Sequence, residues 1–326
     1  MSVLAFSLGL IAVGAALATF TAIVAAVIAT ASSLLPLSAA RRADLFFLLG
    51  LAPGLIGVLG MVLVALPSVL AGVGLVADHC LSHDHHIHLC PVHIAGLPAA
   101  VAAVAGGVFV VAVLRLGTRL LHLVQQRKLV RAAICIGERS SIEGTTVVTI
   151  AGPPTLLHAG DDLILASRTL LQGLSYRARR AALAHETAHV RRGDPRCLSL
   201  LSLAAAWTPP LFGELMVRAF RQAAEEAADE DAAAIVGVLD VADAVIEVSR
   251  LRLRTALDGL CAVDGADIER RIHRLLALQP RPRRSGAVVV VALLMGASLA
   301  SVPLFADVHH VAESALAHVV TRPVHH

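Results

Sequence analysis

The chain has 326 residues, 57% of them hydrophobic and only 16% charged, with a formal net charge of +3 and a mean hydropathy of +0.77. A soluble domain carries about 25% charged residues, so this balance excludes an ordinary water-soluble globule and points to a lipid solvent. One Trp and one Tyr leave no basic–aromatic interleaving, so direct nucleic-acid binding is not expected.

Residues 1–40, 45–77 and 285–306 carry no charged side chain, and 85–114 has no Asp, Glu, Lys or Arg. A bilayer core takes about 20 apolar residues per helix. The predicted spans are residues 3–30, 45–76, 94–115 and 286–305. The first has no basic flank and is too long for a signal-peptide core, so it reads as an uncleaved anchor. Arg41, Arg42 and Arg322 aside, the remaining 24 of the 27 Lys and Arg lie in 115–284. The bias of basic residues toward the cytoplasm puts 115–284 inside, and the N-terminus, the loop 77–93 and the tail 307–326 outside. The expected location is a bacterial inner membrane, crossed several times.

The outer loop packs His79, Cys80, His83, His85, His86, His88, Cys90 and His93 into one short stretch, and the tail adds five more histidines. Imidazole and thiolate suit zinc, copper or nickel, so a second transition metal is expected there. A Cys80–Cys90 disulfide with ordinary polar histidines is the alternative.

Arg115 to Arg131 reads as a basic amphipathic helix leaving the membrane. Thr145 to Ile150 and Leu163 to Leu165 read as a hairpin or two adjacent strands. Ser175 can cap a helix running to Arg192, which Gly193, Asp194 and Pro195 interrupt. Cys197 to Gly213 is uncharged but short for a span, and reads as a buried or membrane-grazing helix. Further helices are expected over 214–236 and 268–278.

His185-Glu186-Thr187-Ala188-His189 falls in the first of these cytoplasmic helices. Residues at i and i+4 share a helical face, so both imidazoles can bind one metal ion. Zinc lowers the pKa of a water toward about 7, and Glu186 is placed to take its proton as general base. A third ligand must come from elsewhere. In Ala224-Glu225-Glu226-Ala227-Ala228-Asp229, Glu225 and Asp229 share a face, as do Glu226 and Glu230. The first pair gives Glu225 as ligand and Asp229 as the group fixing an imidazole. The second pair is the competing assignment, and a solvated acidic face is the bland one.

The segment Ala184-His-Glu-Thr-Ala-His-Val-Arg-Arg-Gly-Asp194, with Trp207-Thr-Pro-Pro and Glu225-Glu-Ala-Ala-Asp229, resembles the peptidase M56 family of antirepressor-type membrane proteases. The peptidase M48 family shares the core pattern. The resemblance covers roughly residues 100–306 and implies Glu225 rather than Glu226 as the third zinc ligand. It implies a polytopic α-helical membrane protein of about four spans with a cytoplasmic, mainly α, α+β zincin-like metallopeptidase domain over 117–284. The three-span region 1–116 precedes that domain, and 285–306 and 307–326 follow. It also implies a protein substrate, such as a BlaI/CopY-type transcriptional repressor, and a strand near Leu163 to Leu165 that offers its edge to substrate. A role for Arg271 in a structural salt bridge fits the same pattern. Only about 20 residues follow the last span, so the penicillin-binding sensor domain of the antirepressor proteins has no counterpart after it. A membrane quality-control protease and a non-catalytic metal-sensing membrane protein are the alternative readings.

Overall fold

The structure, a computed structural model, describes residues 2–32, 37–73, 99–142, 144–160, 163–256 and 265–277. The fourth predicted span, the histidine- and cysteine-rich loop and the tail lie outside the described residues. The chain is mainly helical. Among the described residues, three helices are long and apolar enough to cross a membrane: α1 (Ser2–Ser32), α2 (Ala39–Gly72) and α3 (Ala99–Ile136). Their outward faces are apolar, with Phe20, Ile23, Leu55, Val62, Val104 and Val110 exposed. Hydrophobicity gives no reason for such helices to pair in lipid, so close backbone approach must do it. Gly57 supplies that approach, since a Cβ there would stand 2.8 Å from the Gly14 carbonyl oxygen of α1. Helix α3 does not stop at residue 115. Its 38 residues, about 57 Å at 1.5 Å per residue, carry the basic stretch Arg115 to Arg131 as one continuous rod, across the expected boundary at 116/117.

Four strands follow: β1 (Glu138–Ile142), β2 (Thr145–Ile150), β3 (Leu156–Gly160) and β4 (Leu163–Ser167), in spatial order β1-β2-β4-β3. The expected strands β2 and β4 are adjacent but parallel, so they are not a hairpin. The antiparallel pairs are β1–β2 and β3–β4. Strand β4 is therefore interior, with Ile164, Leu165 and Ala166 buried. The edge expected at Leu163 to Leu165 belongs instead to β3. Ser167 ends β4 and caps α4 (Arg168–Gly173). Its buried hydroxyl accepts from Leu170 N and Thr155 N, both at 3.1 Å. Ser167→Ala leaves two backbone donors unmet and is expected to cost about 1–2 kcal/mol, read as a lower thermal unfolding midpoint in detergent.

Helix α5 (Tyr176–Arg192) begins where expected, its first turn capped by Ser175, whose hydroxyl accepts from Ala178 N. Ser175 also donates to Glu247 on α8 (Val238–Ala256), which fixes α8 against the start of α5. Gly193 ends α5 in the left-handed conformation, φ 71°, which a side chain would resist. Asp194 and Pro195 then open α6 (Asp194–Ala204) rather than merely breaking a helix. The uncharged run is thus not one helix. Residues 205–209 turn, and Pro210 starts α7 (Pro210–Val236). Helix α9 (Gly265–Leu276) closes the described fold. Buried alanines on both facing helices, Ala178, Ala181 and Ala188 on α5 and Ala224, Ala227 and Ala228 on α7, let the two approach closely. That approach brings their polar residues together.

Candidate metal centre

Helix α5 presents His185 and His189 one turn apart, and α7 presents Glu225 between them. The two Nε2 atoms are 3.1 Å apart. Glu225 Oε2 lies 3.4 Å from His185 Nε2 and its Oε1 lies 3.6 Å from His189 Nε2. Ligands about 2.0–2.1 Å from a tetrahedral zinc stand roughly 3.3–3.4 Å from one another. The three groups therefore fit around one such ion, and they form the one potential metal-holding group of this kind among the described residues.

Each imidazole has its other nitrogen beside a carboxylate. His185 Nδ1 lies 2.9 Å from Asp229 Oδ1, and His189 Nδ1 lies 2.8 Å from Asp194 Oδ2. The Asp194 contact has hydrogen-bond geometry and favours the tautomer that leaves His189 Nε2 facing Glu225, while Asp229 lies against His185 at ion-pair distance. Asp229 is only 2% exposed, so the solvated-face reading does not describe it. Arg271 of α9 binds it with two 2.8 Å hydrogen bonds and reaches Glu225 at 3.2 Å, which is the expected salt bridge. Arg192 lies 3.3 Å from Asp194. Asp229 is paired with Arg271 and Asp194 with Arg192, while Glu225, which Arg271 also reaches, and Glu186, with the Arg252 cation acting on it, are the carboxylates that face the centre.

Glu226 faces away from this centre. It is 2% exposed and held by Arg42 of α2, by Arg274 at 3.1 Å and by Arg270 at 3.4 Å. Glu230 pairs with Arg274 at 3.0 Å. The geometry thus separates the two i, i+4 pairs: Glu225 and Asp229 meet the histidines, while Glu226 and Glu230 meet arginines. Asp194 was not singled out as a site residue by the sequence reading. The available signal was an acid directly after the helix-ending Gly193, five residues past His189. The outer-loop residues His79, Cys80, His83, His85, His86, His88, Cys90 and His93 lie outside the described residues.

Burial opposes charge on both imidazoles, yet the carboxylates outweigh it. Asp229 and Glu225 raise His185, and Asp194 and Glu225 push His189 up to about 10. Burial acts against the Glu225 carboxylate as well, but hydrogen bonds from His185 and His189 hold it well below its ordinary value. Burial raises the Glu186 carboxyl, with both histidines pulling partly the other way. In the metal-free protein, zinc must therefore displace protons from the imidazoles. Affinity is expected to rise with pH until His189 loses its proton unaided near 10. Titration calorimetry in buffers of different ionisation enthalpy reads the released protons directly.

Glu186 faces a cleft of about 400 Å³ together with the three candidate ligands. Leu156 and Leu157 of β3 form one wall, and Val241, Val245 and Val248 of α8 line it too. An extended chain lying along β3 can pair with its outer edge and pass the metal centre. Replacing Asp229 or Asp194 with Ala is expected to weaken zinc binding about 10–100-fold, measured by competition with a chelator. No family model, curated protein or solved structure matches the chain.

Proposed function

We propose that the chain is an integral-membrane zinc endopeptidase, with the metal held by His185, His189 and Glu225 and with Glu186 as general base. The observation that carries this reading is that the two Nε2 atoms lie 3.1 Å apart with one Glu225 carboxylate oxygen 3.4 Å from the first and the other 3.6 Å from the second, each imidazole having a further carboxylate beside its other nitrogen. Two histidines and one glutamate make a set that leaves a fourth zinc position for chemistry, where structural zinc sites take four protein ligands. The mixed sheet beside α5, with edge strand β3 along the cleft, agrees with a zincin-like domain.

When bound, zinc supplies Lewis acidity, activating water near neutral pH and polarising a carbonyl. The chain's own residues do the rest. Glu186 takes a proton from the attacking water at its carboxylate and returns it to the leaving amine. Burial raises its basicity for that task. Asp229 and Asp194 hold the imidazoles in place, and Arg271 holds Asp229. Strand β3 orders the substrate backbone, and the apolar wall of α8 receives a side chain.

The cluster of basic residues supports a cytoplasmic site. A cytoplasmic or membrane protein is then the substrate, and a transcriptional repressor of the BlaI/CopY type is the one the sequence resemblance suggests. The test compares new protein N-termini in cells producing the wild type or Glu186→Gln. Products seen only with the wild type are expected. Identical N-termini in both strains, with both proteins correctly inserted, would leave a non-catalytic metal-binding membrane protein.

A further inference from the structure

Helices α6 and α7 form a hairpin whose turn, residues 205–209, points away from the metal centre. The run from Cys197 to Gly213 has no charged residue. This hairpin packs on the apolar helices rather than on the sheet. Phe212 and Met216 meet Leu49 of α2 and Ala22, Ala25 and Ala29 of α1. A Cβ on Gly50 of α2 would stand 2.2 Å from the Leu201 side chain of α6. Gly50 is eight residues beyond Arg42, about 12 Å along α2. The hairpin therefore reaches the depth of the apolar spans, well beyond the basic residues at the start of α2.

The outward faces of both arms change in the same direction. Over the first twelve residues of α7 the exposed positions are Pro210, Leu211, Leu215, Arg218 and Arg221, with the leucines nearest the turn and the arginines farther along toward Glu225. On α6 they are Pro195 and Arg196 and then Leu200, followed by Trp207 in the turn. Leu211 is 89% exposed, Leu200 54% and Trp207 40%. A turn in hydrocarbon must have its carbonyls met internally. Here Arg115 of α3 does so, donating to Ala205 O at 2.7 Å, Thr208 O at 2.8 Å and Ala206 O at 3.4 Å. Arg119 donates to Ser202 and pairs with the half-exposed Glu214, while the Ser199 and Thr208 hydroxyls donate to the Pro195 and Ala205 carbonyls.

We infer that the α6–α7 hairpin is immersed in one leaflet of the bilayer, with Leu200, Trp207, Leu211 and Leu215 in acyl chains and Arg196, Arg218 and Arg221 at the phosphate headgroups. The hairpin packs directly on α1 and α2, and the arginines suit anionic headgroups. The immersion rests on α1–α3 crossing the membrane and not on catalysis. One consequence does rest on the peptidase reading. Pro195 and Leu198 of α6 also line the cleft, so the cleft opens at the headgroup layer, and its substrates are protein segments lying at the membrane surface.

Trp207 is the single Trp of the chain, so its fluorescence reports on the turn without any label. The full chain is reconstituted in vesicles of phosphatidylethanolamine and phosphatidylglycerol. Lipids brominated on the acyl chains are expected to cut the emission at least by half, while aqueous iodide leaves it nearly unchanged. In a Trp207→Phe background, Leu211→Trp is expected to behave the same way, and Arg221→Trp to reverse the pattern, quenched by iodide and not by deep bromines. Quenching of Trp207 by iodide alone would overturn the immersion. Protection from both quenchers would also overturn it, because residues 286–305 or a second copy of the chain would then cover the patch. None of these readings depends on proteolysis, so they stand or fall separately from the proposed activity.

Discussion

Glu186→Gln is expected to lower kcat for peptide-bond cleavage by about 10³-fold, within the range typical of a lost general base, while zinc stays bound at one ion per chain. The amide keeps the size of the side chain but cannot accept the proton. The side chain of Glu186 lies in the cleft beside both histidines and is not one of the three facing ligand groups. His185→Ala is the contrasting variant. It removes a ligand while Asp229 keeps its two hydrogen bonds from Arg271, so zinc and activity should go together. Parallel measurement of metal content and cleavage rate separates the two roles. Loss of zinc from Glu186→Gln would place Glu186 among the ligands. Undiminished cleavage would remove it from the mechanism.

Glu226→Ala is expected to destabilise the protein by about 2–3 kcal/mol. Removing one partner of a buried ion pair costs roughly 3–5 kcal/mol, and the value here sits lower because Arg270 and Arg274 keep partial access to water. Arg42, Arg270 and Arg274 converge on this carboxylate, and Gln222 donates to it as well. Arg42 comes from the start of a spanning helix, and Glu226 neighbours the candidate ligand Glu225. The cluster therefore pins α2, α7 and α9 at one point beside the site. Thermal unfolding in detergent measures the loss. Arg42→Ala combined with Glu226→Ala should cost less than the sum of the two single changes, because their interaction is lost only once. Strict additivity would show that the pair does not interact.

The candidate site was legible where its chemistry is local. The four-residue spacing of His185 and His189 sets a shared face in any helix, and the same spacing offered Glu225 with Asp229. The choice against Glu226 and Glu230 was less local. It depends on which side of α7 meets α5, and that is decided by alanine packing and by Arg42, 184 positions away. Asp194 was hidden for a similar reason, since the left-handed turn at Gly193 carries it back toward His189.

The fourth expected span lies outside the described residues, and the other three were legible as long apolar helices because a bilayer demands long uncharged runs. The sheet was less so. Strand β1 reads Glu-Arg-Ser-Ser-Ile and is largely exposed, with no apolar alternation to announce it. Strand β3 follows a Gly-Pro-Pro stretch that reads as a loop. With β3 unrecognised, β4 took its place as the expected edge. Helix α6 and the turn after it merged into a single expected helix because the segment is uncharged throughout, although Pro209 and Pro210 end it and start α7, and Arg115 meets the carbonyls where the backbone leaves helical bonding.

The most direct measurement is zinc X-ray absorption on the purified full-length chain, with metal content determined on the same sample. The account predicts one zinc per chain, with two imidazoles and one carboxylate oxygen in its coordination shell, lost together in a variant lacking His185, His189 and Glu225. A purified chain that takes up no zinc would contradict it. So would zinc whose coordination is unchanged when those three residues are replaced.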